Sequence, residues 1–353
     1  MTQVAAATWI SPVDETDRGN LLGAADLSAR REARQLTAIV EGGERADVAL
    51  AAARETGLLI VPESGQVLPP ERELELLRQA RAEGWRLLLL SSGADSTAPS
   101  GDLAEGLLSR LAATPQPPST QPVPPSALRH RVATGGGDMF LRSGLMHLEC
   151  FADCLAGVGV KLADSSDLLD WGAGCGRMTG HLISRAPNAR VTAADTDAEA
   201  IAWVRENLAV DAAHALPLLP PTPLSTDAFD LVIGHSVFSH LETPAQDAWL
   251  EELARVTRPG GHLAVSFHGP VALHWHLEHP LVDVPTSVAA EVARDGIGIW
   301  RGDGWEESFY EGYHTTFHSH GYIREHWSQW FEIFEISEGA ALPYQDIAVL
   351  RSR

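Results

Sequence analysis

The segment LLDWGAGCGR, residues 168–177, decides the fold of this chain of 353 residues. Apolar residues lead into Asp170, glycines follow at positions 172, 174 and 176, and a helical pattern begins near Met178. Glycine lets the backbone turn sharply and approach a ligand closely, because it has no Cβ atom. This succession of strand, glycine-rich turn and helix predicts the first unit of an α/β sheet, with a ligand site at the turn.

The spacing of the glycines indicates which kind of ligand the turn binds. A dinucleotide-binding fingerprint, G-x-G-x-x-G, requires a glycine where Arg177 stands. The glycines alternate instead as G-x-G-x-G, two residues after an acidic side chain. This pattern disfavours an NAD-dependent oxidoreductase, and a glycine-rich turn without a ligand is the structural alternative.

Strand and helix patterns alternate after this turn. Strands are predicted at 168–171, 190–194, 212–216, 229–234 and 262–267, with helices from 178, at 199–208 and at 245–256. The turn Pro259-Gly260-Gly261 precedes the fifth strand. Two further strand patterns, at 331–337 and 345–352, are separated by a short loop and predict a hairpin.

An acidic residue at the end of the second strand is a further candidate for ligand binding. In a doubly wound sheet, the position of Asp195 lies beside the glycine turn. Its carboxylate can accept hydrogen bonds from the two neighbouring hydroxyls of a ribose. The alternative is that Asp195 caps the next helix, but Asp197 is better placed for that role.

These features together resemble the class I S-adenosylmethionine-dependent methyltransferases. The resemblance rests on residues 168–177, on Asp195, on FDLVIGHSVFSHL at 229–241 and on RPGG at 258–261, and it covers residues 128–353. It implies an α/β fold with a Rossmann-like seven-stranded sheet, an antiparallel last strand, and S-adenosyl-L-methionine as cofactor. The implied cofactor-binding residues are Asp170, Gly172, Ala173, Gly174, Gly176, Arg177, Asp195, Thr196, Leu216, His235 and Ser236.

Two segments outside the turn bear on the same cofactor. Leu216 and Pro217 stand where family members usually carry a polar residue, which implies apolar and backbone contacts with adenine. Phe140, Ser143 and Gly144 resemble the F-x-x-S-G element of a methyltransferase subgroup. By this resemblance the element lies over the methionine end of the cofactor, and a packing helix is the alternative.

Histidines are concentrated in the second half of the chain, where eleven of the fifteen lie between His235 and His326. Methyl transfer to a hydroxyl group is helped by a base, and histidine titrates near neutral pH. His235, His240 and His268 follow predicted strand ends and are the candidate catalytic bases. A structural role is the alternative for each of them.

An insertion at about 269–320 is rich in aromatic residues and histidine. The residues expected to line a substrate pocket are Phe140, Trp275, Tyr310 and Tyr313. Aromatic faces can receive a planar ring or a cation, whereas core packing explains some of these residues equally well. The clusters HWHLEH (274–279) and HTTFHSH (314–320) lack a settled metal-ligand spacing, so we predict no metal.

Composition restricts the partners and the cellular compartment. A formal net charge of −21 disfavours nucleic acid, whose phosphates would be repelled. No apolar run approaches the about 20 residues that a membrane span requires, and three cysteines are too few for a disulfide framework. We therefore expect a cytoplasmic protein that has a small-molecule partner and binds neither nucleic acid nor membrane.

A proline-rich segment divides the chain. Six of the eleven residues at 115–125 are proline, which makes the segment stiff and extended. We predict a linker at 114–127, a small α/β domain at 1–113 and the methyltransferase domain at 128–353. The N-terminal domain is expected to serve packing, substrate selection or dimerisation, the last as a homodimer.

The expected function is transfer of a methyl group to an oxygen or nitrogen of a small molecule, in specialised metabolism. One alternative is a methyltransferase for a glycan or a peptide. Another is a protein that binds the cofactor without transferring its methyl group.

Overall fold

The computed structural model describes part of the chain in detail. The described residues are 8–9, 38–39, 58–61, 71, 75, 78, 82, 86–89, 94–95, 106, 109–115, 117, 120–129, 131–132, 137–278, 284–301, 313–341 and 344–353. The chain divides into two compact units. The first comprises Met1–Pro115, Ala133–Met139 and Trp275–Asp283, and the second Gln116–Val132, Phe140–His274 and Val284–Arg353.

The first unit contains a five-stranded sheet. Its strands are β1 (Thr8–Trp9), β2 (Ala38–Ile39), β3 (Leu58–Val61), β4 (Arg86–Leu89) and β5 (Ala94–Asp95), which lie in this order. Neighbours from β1 to β4 are parallel, and β5 is antiparallel to β4. Strands β2, β3 and β4 lie within short apolar runs of the sequence at 36–40, 58–61 and 86–90, which predict buried strands. The two-residue strands β1 and β5 were not predicted, since two residues carry no periodicity.

The second unit contains a seven-stranded sheet and a two-stranded sheet. Their strands are β6 (Asp167–Trp171), β7 (Arg190–Asp195), β8 (Ala212–Ala215), β9 (Phe229–Gly234), β10 (Thr257–Phe267), β11 (Ile297–Trp300), β12 (Thr315–His318), β13 (Phe331–Ala341) and β14 (Gln345–Ser352). The larger sheet has the order β13-β14-β10-β9-β6-β7-β8. Strand β14 is antiparallel to both of its neighbours, β10 and β13, and all other neighbouring pairs of this sheet are parallel. The predicted Rossmann-like sheet with an antiparallel last strand is confirmed.

Helices connect the strands at the predicted places. They are α1 (Ser126–Arg129), α2 (Gly137–Gly157), α3 (Thr179–Arg185), α4 (Ala198–Asn207), α5 (Thr243–Val256), α6 (Pro270–Glu278), α7 (Thr286–Asp295) and α8 (His320–His326). Helices α3, α4 and α5 begin within two residues of their predicted starts. Among the described residues, none of the helices combines the length and the apolar character needed to cross a bilayer.

The central strands of the larger sheet are covered on both faces. Every residue of β6 is buried, as expected of a parallel strand between two layers of helices. Successive side chains of a strand point to opposite faces. Accordingly, Leu168 belongs to one apolar cluster with Leu231, and Leu169 belongs to another with Val232. Both faces are thus used for the core, which leaves the carboxyl ends of the strands for a site.

The predicted insertion is folded where it is described. It contains α6, α7 and the antiparallel pair β11–β12, which had no predicted secondary structure. A bridge joins Tyr313 to Leu241, which follows β9, and another joins Phe317 to His268, which follows β10. The second half of the insertion therefore runs along the carboxyl edge of the larger sheet.

Candidate active site at the carboxyl edge of the sheet

The glycine turn after β6 has a backbone that other residues rarely adopt. Gly174 has a φ of +52°, and a Cβ atom there would lie 2.4 Å from Cγ1 of Val132. Gly172 and Gly176 also have positive φ angles, and Ala173 between them is buried. The turn therefore needs glycine both for its dihedral angles and for its contact with the segment after α1.

The carboxylate of Asp195, at the end of β7, is bonded to this turn. Its Oδ2 atom accepts the amide of Gly174 at 2.7 Å, and its Oδ1 atom accepts the amide of Asp197 at 2.8 Å. Burial raises the pKa of this carboxyl, and the hydrogen bonds from Asp197 and Gly174 oppose the rise. A hydrogen bond from the amide of Thr196 also opposes the rise in pKa. An ionised carboxylate has about four acceptor positions, so room remains for a further donor.

Of the two neighbouring acids, Asp197 is the expected helix cap. Asp197 is the N-cap of α4, and its Oδ1 atom accepts the amides of Glu199 and Ala200. Its Oδ2 atom pairs with Arg131 at 2.8 Å. Asp195 is not the cap, and its carboxylate faces the glycine turn instead.

Asp170, within β6, makes its hydrogen bond inside the protein. The residue is 3% exposed, and its carboxylate accepts a hydrogen bond from the hydroxyl of Thr179, the first residue of α3, at 2.6 Å. Burial raises the pKa of this carboxyl to about 6, although the bond from Thr179 opposes the rise. Asp170 thus joins the strand to the helix on either side of the glycine turn.

Arg177 connects the turn with two histidines. Its Nη1 atom lies 2.7 Å from Nδ1 of His147, on α2, and its Nη2 atom lies 3.3 Å from Nδ1 of His235, just after β9. The two imidazole rings are 4.4 Å apart. Burial, with the neighbouring charges of His147 and Arg177, holds the pKa of His235 well below its usual value. Burial also lowers the pKa of Arg177 to about 10.

The F-x-x-S-G element has a structural explanation at the same place. A Cβ atom at Gly144, inside α2, would lie 2.1 Å from the carbonyl oxygen of Arg177. The missing side chain therefore lets α2 pack directly against the end of the glycine turn. Ser143 bonds its own helix, through the carbonyl of Phe140.

A buried polar network fixes the loop after β9. Ser236 has a φ of +61°, and its amide donates to Oγ of Ser266 at 2.7 Å. The side chain of Gln345 donates to Oγ of Ser236 at 2.9 Å and accepts from Ser266 at 2.7 Å. Positive φ angles in residues other than glycine are often found at functional sites. Ser236 was predicted as a site residue, whereas Gln345 and Ser266 were missed.

Two of the predicted bases lie close together. The rings of His240 and His268 are 6.0 Å apart, and His240 stacks on Tyr313 at 4.5 Å. His268 is 4% exposed, with its Nε2 atom 3.4 Å from Nε2 of Gln345. Its ring also stacks on Phe317, in the insertion. The structure thus brings two candidate bases and one predicted pocket residue to the same edge of the sheet.

The remaining predicted residues are more scattered. Leu216 follows β8, is buried, and donates its amide to the carbonyl of Asp195 at 2.8 Å. Thr196, which follows Asp195 in the sequence, is exposed. Phe140 is buried. Trp275 belongs to the first unit, where its ring contacts His276. Tyr310 lies outside the described residues.

The histidines of the insertion have separate hydrogen-bond partners. His314 pairs with Glu242, His318 contacts Gln246, and His320 pairs with Asp346. His274 and His276 lie on α6, and His279 is outside the described residues. Within the described part of the chain, no group of three or more histidine, cysteine or acidic residues is arranged to hold a metal ion.

Comparison with known proteins gives a family match for the part of the sheet that carries the turn. A family model described as a methyltransferase domain matches residues 168–261. The malonyl-[acyl-carrier protein] O-methyltransferase of Methylococcus capsulatus is 32% identical over 127 residues, which are 34% of this chain and 43% of that protein. The trans-aconitate 2-methyltransferase of an Azoarcus species is 34% identical over 106 residues, or 30% and 40% of the two chains.

Solved structures give a weaker likeness. The 1,6-didemethyltoxoflavin-N1-methyltransferase of Burkholderia thailandensis, solved with S-adenosylhomocysteine, has 16% identity and a TM-score of 0.40. The match covers 58% of this chain and 77% of that chain. This chain spans about half or less of the length of the curated relatives that it matches.

Proposed function

The chain carries a class I S-adenosylmethionine-dependent methyltransferase domain, and on that premise we propose that it methylates an oxygen or nitrogen of a small molecule in specialised metabolism. The observation that carries the proposal is the carboxylate of Asp195, held by the amides of Gly174 and Asp197. The carboxylate keeps acceptor capacity beyond its bonds to the backbone, which suits a hydroxyl group of a ribose.

The residues around the turn fit the other parts of S-adenosylmethionine. Leu216 gives an apolar surface at the end of β8, which suits one face of adenine. Arg177 and His235 give polar groups between the ends of β6 and β9, which suit the amino-acid end. In this proposal Gly172, Ala173 and Gly176 shape the turn.

The cofactor supplies a methyl group on a positively charged sulfur. The chain's own residues need to hold the acceptor atom in line with that methyl carbon, at about 3–3.5 Å. They also need to accept a proton when the acceptor is a hydroxyl group. We propose His268 for the proton, because it follows β10 directly, and His240 with Tyr313 for the pocket wall.

An oxygen acceptor is favoured over a nitrogen acceptor. The first curated relative is named an O-methyltransferase of malonyl-[acyl-carrier protein], and another is named for trans-aconitate. Both names contain an organic acid and the first specifies an oxygen, so we propose an oxygen of an organic acid as the acceptor. The insertion with α7, β11 and β12 is our candidate for the part that selects the acceptor, because it lies along the same sheet edge.

The proposal is tested in two steps with the full chain. Titration calorimetry with S-adenosylhomocysteine is expected to show binding, with NAD as the control that shows none. Incubation of the protein with S-adenosylmethionine carrying a labelled methyl group, in a cell extract, is then expected to label small molecules. Tight NAD binding without S-adenosylhomocysteine binding overturns the cofactor assignment. Label found only in protein, glycan or nucleic acid overturns the acceptor class.

A further inference from the structure

We infer that Gln345 is a positioning residue, which holds the neutral ring of His268 with its proton on Nδ1 and its lone pair on Nε2. This rests on the proposed function in one respect, since it takes His268 as the group that accepts the proton. It deepens that function by naming the nitrogen that accepts the proton and the side chain that orients it. Gln345 is 8% exposed and is the first residue of β14.

The hydrogen bonds around Gln345 run in one consistent direction. The amide of Ser236 donates to Oγ of Ser266 at 2.7 Å, so the hydroxyl proton of Ser266 is left to be donated elsewhere. Ser266 is completely buried, and Oε1 of Gln345 accepts that proton at 2.7 Å. The carbonyl end of the Gln345 amide therefore faces Ser266, and the NH₂ end faces the other way.

The reverse orientation of this amide is disfavoured by the same bonds. The oxygen and nitrogen of a glutamine side chain are nearly equal in size, so its orientation follows from its hydrogen-bond partners. With the NH₂ group beside Ser266, the buried hydroxyl proton of Ser266 would lose its acceptor. Buried donors are almost always satisfied, which favours the orientation with Oε1 beside Ser266.

The NH₂ group of Gln345 then sets the proton position on His268. It donates to Oγ of Ser236 at 2.9 Å, and its nitrogen lies 3.4 Å from Nε2 of His268. Because an amide NH₂ group only donates, Nε2 of His268 is the acceptor of this contact. A neutral imidazole that accepts at Nε2 holds its proton at Nδ1. The hydroxyl of Ser236 can in turn donate to Oγ of Ser239, 3.0 Å away.

This arrangement suits a base. At 3.4 Å the contact with Gln345 is long for a hydrogen bond, so it orients the ring and leaves Nε2 able to accept from a closer donor. The proton of a hydroxyl acceptor would pass to Nε2 as its oxygen bonds the methyl carbon, and the electrons of the broken carbon–sulfur bond would stay on sulfur. The nitrogen that accepts the proton thus lies beside the loop that carries Ser236.

Titratable groups of three elements lie near His268. They are His235 and His240 after β9, His318 in β12, and Tyr344 and Asp346 at the start of β14. These groups stay the same when Gln345 or Ser266 is replaced. A difference between such a variant and the wild type therefore reports the replaced residue.

The first arm of the test measures the tautomer of His268. Protein with isotopically labelled histidine is studied by NMR at mildly alkaline pH, where an ordinary imidazole is neutral, and His268→Asn identifies the signals. We expect the shift of a protonated nitrogen for Nδ1 and that of an unprotonated nitrogen for Nε2. Ser266→Ala lets the amide of Gln345 reverse, so both tautomers should then be present. Ser239→Ala is the matched control and should keep the wild-type tautomer, because Ser239 lies beside Ser236 at the other end of the network.

The second arm places a charge beside Nε2. Gln345→Glu offers a carboxylate where the wild type has a donor, so the titration midpoint of His268 should rise by about one unit or more. Gln329→Glu is the matched control, since Gln329 is exposed and its Nε2 atom lies 3.3 Å from Nδ1 of another histidine, His326. It should leave the midpoint of His268 unchanged. Circular dichroism and thermal unfolding check that each variant is folded.

The third arm connects the ring with the reaction. A base acts in its unprotonated form, so the rate of S-adenosylhomocysteine formation in a cell extract should rise with pH as His268 loses its proton. In Gln345→Glu this rise should move to higher pH by the amount that NMR gives for the midpoint.

The outcomes separate the two proposals. A wild-type His268 that holds its proton on Nε2 overturns the positioning role of Gln345. Spectra of His268 that are the same in Ser266→Ala, Gln345→Glu and the wild type overturn it as well. If these spectra change as expected but the pH dependence of the rate stays where it was, the proposed role of His268 as base is overturned instead. Absence of S-adenosylhomocysteine binding to the wild type likewise overturns the proposed function, and the spectra still decide the role of Gln345.

Discussion

The Oδ2 atom of Asp195 accepts the amide of Gly174 at 2.7 Å, which joins the end of β7 to the turn after β6. Its other oxygen accepts the amide of Asp197, so the orientation of the carboxylate is set by the protein itself. A group that is already oriented loses little conformational freedom when a ligand binds. The ribose-binding role that we propose for Asp195 therefore depends on the shape of the turn.

Replacement of Asp195 by alanine is expected to weaken S-adenosylhomocysteine binding by about 2 kcal/mol, which is about 30-fold in Kd. The loss comes from the ribose hydrogen bonds and from the freed amide of Gly174. Titration calorimetry measures it. The matched control is Asp197→Ala, which removes the N-cap of α4 and is expected to cost about 1 kcal/mol of folding stability with little change in Kd. Equal affinities of Asp195→Ala and the wild type would contradict the ribose role.

Gly174→Ala tests the geometry of the turn. Alanine at a φ of +52° costs about 1–2 kcal/mol, and its Cβ atom would also collide with Cγ1 of Val132. We expect lower stability in chemical denaturation and a large loss of cofactor affinity. Adding Val132→Ala to this variant should restore only the part of the stability that is lost through the collision. Full restoration of stability by Val132→Ala would contradict the expected cost of placing alanine at this positive φ angle.

The positions of residues next to strand ends could be predicted from the sequence, whereas their roles in binding stay predictions. The glycine spacing, Asp195 and the hairpin of β13 and β14 all follow from local patterns, because strand periodicity and turn chemistry act over a few neighbouring residues. The helix cap at Asp197 is of the same kind. These short-range features were sufficient to predict the order of the main strands and helices along the chain.

The contacts between distant segments were not predictable in this way. Gln345 reaches Ser236 and Ser266 only because β14 inserts beside β10, and no local pattern marks a glutamine for that role. The pairing of Arg177 with His147 likewise depends on how α2 packs at Gly144. The secondary structure of the insertion was not predicted, because its many histidine and aromatic residues do not follow the spacing of a helix or a strand.

The buried carboxyl of Asp170 gives a testable pH dependence. Burial raises its pKa from an ordinary value of 3.8 to about 6. Between these values the folded protein holds a proton that the unfolded chain has lost, so this group makes stability fall as the pH rises from about 4 to about 6. Urea unfolding over this range should show the fall in the wild type, and Asp170→Asn should reduce it. An unchanged pH profile in Asp170→Asn would contradict the raised pKa.

Glu252 provides the control of opposite sign. Burial raises its pKa, but hydrogen bonds from Arg255 and Thr222 outweigh the burial and hold the pKa at about 2, below its usual 4.5. Its contribution to stability is complete above pH 4.5 and is lost as the pH falls toward 2. Glu252→Gln should therefore reduce the loss of stability that occurs as the pH falls from 4.5 toward 2. Asp170→Asn should instead reduce the loss that occurs as the pH rises from about 4 to about 6.

His268→Asn separates catalysis from binding. If His268 accepts the proton from a hydroxyl acceptor, the initial rate of S-adenosylhomocysteine formation should fall about 10²- to 10⁴-fold, with cofactor Kd within about twofold. The matched control is His274→Asn, since His274 is an exposed histidine on α6 and is expected to change neither quantity. A second variant, Gln345→Ala, removes the side chain 3.4 Å from the His268 ring, and we expect a smaller loss of rate because the base itself remains. If His268→Asn turns over as fast as the wild type, His268 has only a structural role beside Phe317, and the base must be sought elsewhere along the same edge.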